Sequence, residues 1–130
     1  MRPRRLVALR WLLAMFLLAG LLMALRPLAP NTSPENWFRH SDKLVHLSFF
    51  ALAWWLGVKA GLRPGWRLGL GLLLYGGGME LAQALFSAGR GAELKDVVAD
   101  GIGVLLGAAL TRWAARRGSS SVGQPQEHRG

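Results

Sequence analysis

The sequence contains no cysteine, which excludes disulfide bonds and thiolate metal sites. It is also poor in acidic residues, because seven Asp and Glu face sixteen Lys and Arg and leave a formal net charge of +9. Such an excess is typical of nucleic-acid-binding proteins, but here the basic residues flank apolar segments and no recognition motif accompanies them. We therefore expect no nucleic-acid partner. At 130 residues the chain has room for one domain and for no large water-soluble core.

Long polar segments are scarce because the hydrophobic residues form four blocks. These blocks cover residues 6–25, 44–62, 66–86 and 97–115. Each is close to the roughly 20 residues that a helix needs to cross about 30 Å of hydrocarbon. Lipid offers the backbone no hydrogen-bond partners, which favours helices over open strands. The sequence thus predicts an all-α membrane protein, with four transmembrane helices in a compact bundle over residues 1–117 and a disordered tail over residues 118–130.

The first block has some features of a signal peptide, since Arg2, Arg4 and Arg5 precede it. Its apolar core is longer than a normal signal core, and residues 24–27 offer no small-x-small cleavage site. A retained first span is therefore favoured over a cleaved signal.

Basic residues lie before the first block, between the second and third, and after the fourth. Four crossings put all three groups on one side of the membrane, and the positive-inside rule makes that side cytoplasmic. Both termini are then predicted to be cytoplasmic, and the connections after the first and third blocks are predicted to lie outside.

Glu80 is an unexpected carboxylate inside the third apolar block, where ionisable groups are costly and usually have a partner. At 1.5 Å of rise per residue, the predicted topology brings further polar residues to the same depth, in the outer third of the membrane. We expect this binding layer to contain Asp42, Lys43, His46, Glu80, Gln83, Arg90, Asp96 and Asp100.

Each of these residues also has a simpler explanation, as an interfacial charge, a helix cap or a bridge between helices. Glu80, Asp96 and Asp100, however, share one depth with His46, and these three carboxylates repel each other unless a cation, a proton or the basic groups of Arg90 and Lys43 compensate. The sequence predicts no cofactor and leaves a bound cation open.

Small residues at every fourth position predict close helix packing on the second and fourth spans. These residues are Ala53, Gly57 and Gly61 on one span and Ala99, Gly103 and Gly107 on the other. The run Gly76–Gly78 before Glu80 allows either close packing or a break in the third helix.

The segments Asp42-Lys43-Leu-Val-His46, Glu80-Leu-Ala-Gln83, Arg90 and Asp96-Val-Val-Ala-Asp100 resemble the spaced polar motif of the VanZ-like family over about residues 40–110. The resemblance implies a small multi-pass protein of the bacterial cytoplasmic membrane, in a family named for resistance to the glycopeptide teicoplanin. It supplies no reaction. Asp100 departs from the family pattern, which usually has Asn at this position, and the added acid makes a shared proton or a bound cation more plausible.

Three functions remain open. The favoured one is an envelope protein whose outward-facing polar pocket binds membrane lipids, in particular a lipid-linked or peptidoglycan-related headgroup, and so affects glycopeptide resistance. The alternative is an intramembrane enzyme that uses a His/Glu/Asp acid-base or metal site on a lipid, although no nucleophile motif supports it. Transport is the third, but it needs an oligomer, and the oligomeric state cannot be predicted.

Overall fold

The computed structural model describes residues 2–25, 41–86 and 94–120, without the side chains of residues 41, 42 and 120. This part of the chain forms four α-helices: α1 (Pro3–Ala24), α2 (Ser41–Lys59), α3 (Trp66–Phe86) and α4 (Leu94–Ser120). The prediction of an all-α protein with four helices is confirmed.

Local sequence signals explain where α1 and α2 begin and end. A proline opens α1, at the position where its missing N–H costs no helical hydrogen bond. α2 ends at Lys59, three residues before the predicted boundary, because Gly61 takes a positive φ of 87°. The amides of Gly61 and Leu62 then bond back to the carbonyls of Val58 and Gly57, which is a Schellman motif. Gly61 therefore terminates the helix and does not extend its small-residue face.

α3 has the bounds that the sequence predicts, and it runs through Gly76–Gly78 without a break. α4 begins three residues before the predicted span and ends at Ser120. The helix thus continues through residues 118–120, where the Ser119 hydroxyl donates to the Arg116 carbonyl at 2.9 Å. The rest of the predicted tail lies outside the described residues.

Contacts between the helices fix their directions. Phe49 of α2 stacks on Phe16 of α1 with ring centroids 4.4 Å apart, while Arg10 nearer the start of α1 donates to Ala60 just past α2. These two helices are therefore antiparallel. Gly76 and Gly69 of α3 face Asp100 and Val104 of α4, respectively, so α3 and α4 are also antiparallel.

α2 and α4 form the most extensive helix–helix contact, and they run parallel. A β-carbon on Gly107 would lie 2.9 Å from the Ala51 carbonyl oxygen and 2.8 Å from the β-carbon of Trp54. One turn earlier on both helices, a β-carbon on Gly103 would collide with the Leu47 carbonyl oxygen in the same way. The predicted small-residue face of α4 thus brings its backbone against that of α2.

Successive helices therefore alternate in direction, so that Pro3 at the start of α1 and Ser120 at the end of α4 lie at the same end of the bundle. The opposite end holds the last turns of α1 and α3 and the first turns of α2 and α4, and it is called the polar end below. Between the two ends lies a core around Phe50, which is fully buried, and Tyr75. The Tyr75 hydroxyl donates to the Leu17 carbonyl at 2.5 Å and so joins α3 to α1.

Two of the described helices, α1 and α3, are long and apolar enough to span a membrane. α2 and α4 do not meet that criterion among the described residues, and both carry charged residues in their first turns. The four-span topology and the orientation of the termini stay predictions.

Candidate polar site

The polar site lies where α2 and α4 begin side by side. Lys43 and His46 are in the first two turns of α2, and Asp96 and Asp100 are in the first two turns of α4. Residues four apart lie on one helix face, so both acids of α4 point in a similar direction. The parallel glycine contact described above turns that face toward α2.

His46 and Asp100 form the inner pair of the site. The His46 Nδ1 atom lies 2.7 Å from Asp100 Oδ1, and the Asp100 side chain is 1% exposed. The other carboxylate oxygen, Oδ2, is buried and has no hydrogen-bond donor within the described residues. Space for this oxygen comes from Gly76, where a β-carbon would lie 2.5 Å from it.

Lys43 and Asp96 form the outer pair. The Lys43 ammonium group contacts Asp96 Oδ1 in an ion pair whose side chains are 20% and 13% exposed. The pair lies one helical turn from His46 and Asp100 and closer to the end of the bundle. Lys43 therefore supplies one of the compensating positive charges that the clustered acids require.

Glu80 comes to the same place from α3 and is 3% exposed. One carboxylate oxygen of Glu80, one of Asp96 and a ring nitrogen of His46 all lie within 4.8 Å of one another. Three helices thus converge on one small volume, and each contributes an atom that is able to bind a metal ion or a proton.

Gln83 lies one turn beyond Glu80 but serves a different contact. Its amide nitrogen donates to the Ala24 carbonyl at 3.0 Å, and its side chain is 5% exposed. Ala24 is the last residue of α1, where carbonyl groups have no partner in the helix. Gln83 thereby fixes the end of α1 against α3.

A pocket of about 460 Å³ opens between α1, α2 and α3. His46 and Gln83 line it near the polar end, while the deeper walls are apolar and include Phe16, Phe49 and Met79. The arrangement combines a few polar groups at one end with a long apolar surface, which is the general form of a site for an amphiphilic ligand.

The structure brings six of the eight predicted site residues to the polar end: Lys43, His46, Glu80, Gln83, Asp96 and Asp100. Asp42 belongs to the first turn of α2, and its side chain is not described. Arg90 lies outside the described residues, so its predicted role in the layer stays a prediction.

Sequence reasoning missed the contribution of α1 and a second polar contact between α2 and α4. The Trp54 indole donates to the Thr111 hydroxyl at 3.0 Å, and that hydroxyl donates to the Gly107 carbonyl at 2.5 Å. A threonine among apolar residues, four positions after a packing glycine, is a signal for such a contact. For the part of α1 near the polar end no comparable signal exists, because residues 11–24 are apolar on every side.

Comparison of the chain with models of known protein families, with curated proteins and with solved structures finds no match. The VanZ-like resemblance therefore stays a prediction that rests on the spaced polar residues.

Proposed function

We propose that the protein is a multi-pass protein of the bacterial cytoplasmic membrane, with four spans and both termini in the cytoplasm. Large apolar side chains support this, because they are exposed on several helices, as with Trp11 at 67%, Leu74 at 67% and Leu105 at 70%. Water is a poor environment for so much apolar surface, and lipid would cover it. α2 and α4 owe their lower hydropathy partly to polar side chains that face the bundle interior, such as His46 and Asp100.

The absence of cysteine makes this topology directly testable, because a single introduced cysteine reports its own location. A membrane-impermeant maleimide added to intact cells should label Ser33→Cys in the first connection. It should label Ser119→Cys near the end of α4 only after the membrane is opened. Labelling of both positions in intact cells, or of neither, would contradict the proposed orientation.

Within that topology, the pocket between α1, α2 and α3 binds an amphiphilic lipid. The observation that carries this proposal is the position of His46 and Gln83 at one end of an otherwise apolar pocket of about 460 Å³. Polar groups so placed orient a headgroup, while the aromatic and methionine walls accept a hydrocarbon chain. Glu80 and Asp100 lie close to His46, on α3 and α4, and are not among the residues that line the pocket.

A lipid-linked or peptidoglycan-related precursor is the lipid that best suits a polar end on the outer side of the membrane. Its headgroup offers phosphate and sugar groups to Lys43, His46 and Gln83, and its prenyl chain is apolar. Binding of such a precursor would change access to the target of a glycopeptide antibiotic, in line with the VanZ-like resemblance.

Blocking the pocket tests lipid binding without touching a polar residue. Ala19 lines the pocket, so Ala19→Phe should reduce the retention of a polyprenyl-phosphate-linked precursor in native mass spectrometry by about tenfold. Ala14→Phe is the matched control, because Ala14 is exposed on the same helix and does not line this pocket. Equal retention by both variants and the unchanged protein would refute the pocket as the binding site.

One observation favours a second candidate function, in which the protein is an enzyme that acts on the bound lipid. The His46 ring is held by Asp100 at 2.7 Å, which is how a carboxylate orients a general base. Incubation of the purified protein with the lipid-linked precursor should then give a product that His46→Gln fails to form. If the unchanged protein releases no product while it retains the lipid, binding is the function and catalysis is not.

A further inference from the structure

Three side chains at the polar end have the chemistry and the spacing of metal ligands. His46 from α2, Glu80 from α3 and Asp96 from α4 each offer one donor atom, and these atoms lie within 4.8 Å of one another. Ligand atoms bound to one ion at about 2.0–2.2 Å lie no more than about 4.4 Å apart. A common ion would require these atoms to move closer together by a few tenths of an ångström or more.

Asp100 prepares His46 for this role. It engages Nδ1, which leaves Nε2 with the lone pair that binds an ion when Nδ1 carries the proton. Metal-binding histidines commonly donate their second ring N–H to a carboxylate, which fixes the tautomer and the ring orientation. Residues with this supporting role belong to the site without contacting the ion, and Asp100 is such a positioning residue.

The second oxygen of Asp100 is an independent sign that positive charge belongs nearby. The residue is fully buried, and in the described part of the chain Oδ2 accepts no hydrogen bond. This oxygen faces α3 at Gly76, one turn before Glu80. A buried carboxylate in an apolar bundle is stabilised by a nearby cation.

We propose that His46, Glu80 and Asp96 bind one divalent transition-metal ion, and that the Lys43 ammonium group competes with this ion for Asp96. One imidazole and two carboxylates suit Zn²⁺, Mn²⁺ or Fe²⁺. Ca²⁺ takes six to eight oxygen ligands and suits this donor set poorly. The Lys43–Asp96 ion pair provides the positive charge when no metal ion is bound.

The proposal is tested with metal ions and no lipid. Protein purified in detergent and stripped with EDTA is titrated with Zn²⁺ by calorimetry and with Mn²⁺ by electron paramagnetic resonance. One ion per chain is expected. His46→Gln and Asp96→Asn should each weaken binding by at least about tenfold, and Ca²⁺ should not compete at equal concentration.

Lys43→Met provides the decisive variant, because its expected effect is a gain that misfolding does not produce. Removal of the competing ammonium group should tighten Zn²⁺ binding. Lys59→Met is the matched control, since it removes the same charge near the far end of α2, where Lys59 lies over the Trp55 ring. The proposal fails if Lys43→Met binds no more tightly than Lys59→Met.

Binding at another histidine would also overturn the proposal. The chain has three histidines, and His40→Gln and His128→Gln should therefore leave the affinity unchanged. Loss of the ion from either variant, or no stoichiometric ion in the unchanged protein, would refute the site. Ala19→Phe should bind the ion normally, so a failed lipid site and a failed metal site give different results.

Discussion

Gly76 and Asp100 are complementary, because the missing side chain of the glycine provides the space that the aspartate carboxylate occupies. A β-carbon at Gly76 would lie 2.5 Å from Asp100 Oδ2 and 3.0 Å from the Phe50 ring. The glycine of α3 therefore determines where the acid of α4 sits, and through it where His46 points. A contact between two helices thus controls the geometry of the polar site.

The first prediction follows from that relationship. Gly76→Ala should lower the free energy of unfolding by about 1–3 kcal/mol, because a methyl group forces the carboxylate or the Phe50 ring to move. Gly77→Ala is the control, since a β-carbon there meets no described atom within 4 Å. Thermal unfolding in detergent should show a lower midpoint for the first variant and no decrease for the second. Equal midpoints would mean that the carboxylate does not depend on Gly76.

The second prediction concerns the contact of α2 with α4. Gly107→Ala should destabilise the protein by about 1–3 kcal/mol, because the methyl group would collide with the Ala51 carbonyl and Trp54, and backbone atoms cannot rotate away. Gly101 on the same helix is the control, since its β-carbon would make an ordinary contact 3.8 Å from Leu73. Chemical or thermal unfolding of the two alanine variants measures the difference. A Gly101→Ala variant that is as unstable as Gly107→Ala would contradict this account.

The third prediction tests the hydrogen bond between Trp54 and Thr111. Thr111→Val keeps the shape of the side chain but leaves the buried indole N–H without this acceptor. We expect a loss of about 1–2 kcal/mol in unfolding free energy, because a buried donor is left without its acceptor. Thr111→Ser retains the hydroxyl and should lose less. Tryptophan fluorescence of Trp54, in a background where the other tryptophans are phenylalanine, should shift only in the valine variant.

The fourth prediction separates the charge of Asp100 from its hydrogen bond. Asp100→Asn retains an oxygen that accepts from His46, so the fold should survive with little change in stability. Asp100→Leu removes the acceptor and should cost about 1–3 kcal/mol, because His46 Nδ1 would then be without its partner. The nitrogen chemical shifts of His46 should report one fixed tautomer in the asparagine variant and a mixture in the leucine variant. The same shifts in both variants would show that Asp100 does not orient the ring.

The sequence predicts the helices well because their length and apolar composition are strong signals. The bounds of α3 match the prediction, and those of α1, α2 and α4 differ by a few residues. The differences arise from local features, such as the left-handed Gly61 that ends α2 and the uninterrupted turns that extend α4. Such residues are visible in the sequence, but a glycine near a helix end is compatible with either ending or continuing the helix.

The grouping of Lys43, His46, Glu80, Asp96 and Asp100 also follows from the sequence, because rise per residue and alternating helix directions determine their depth. Which of these residues contact each other does not follow from the sequence, because side-chain contacts depend on how each helix is rotated about its axis. The pocket is the clearest example. Its α1 wall contains Phe16 and Ala19, yet no periodicity marks these residues, because residues 11–24 of α1 are all apolar.

The extensive contact between α2 and α4 has a consequence for biosynthesis. Neither helix meets the length and hydropathy criterion for a membrane span, and together they pair His46 with Asp100 and Lys43 with Asp96. During translation α2 is synthesised before α4, so Lys43 and His46 at first lack Asp96 and Asp100 as partners. In the proposed membrane, α1 and α3 insert by their own hydropathy, whereas stable insertion of α2 awaits the last helix. Chains that end before α4 should therefore release α2 from the membrane or be degraded, although three of the four helices are complete.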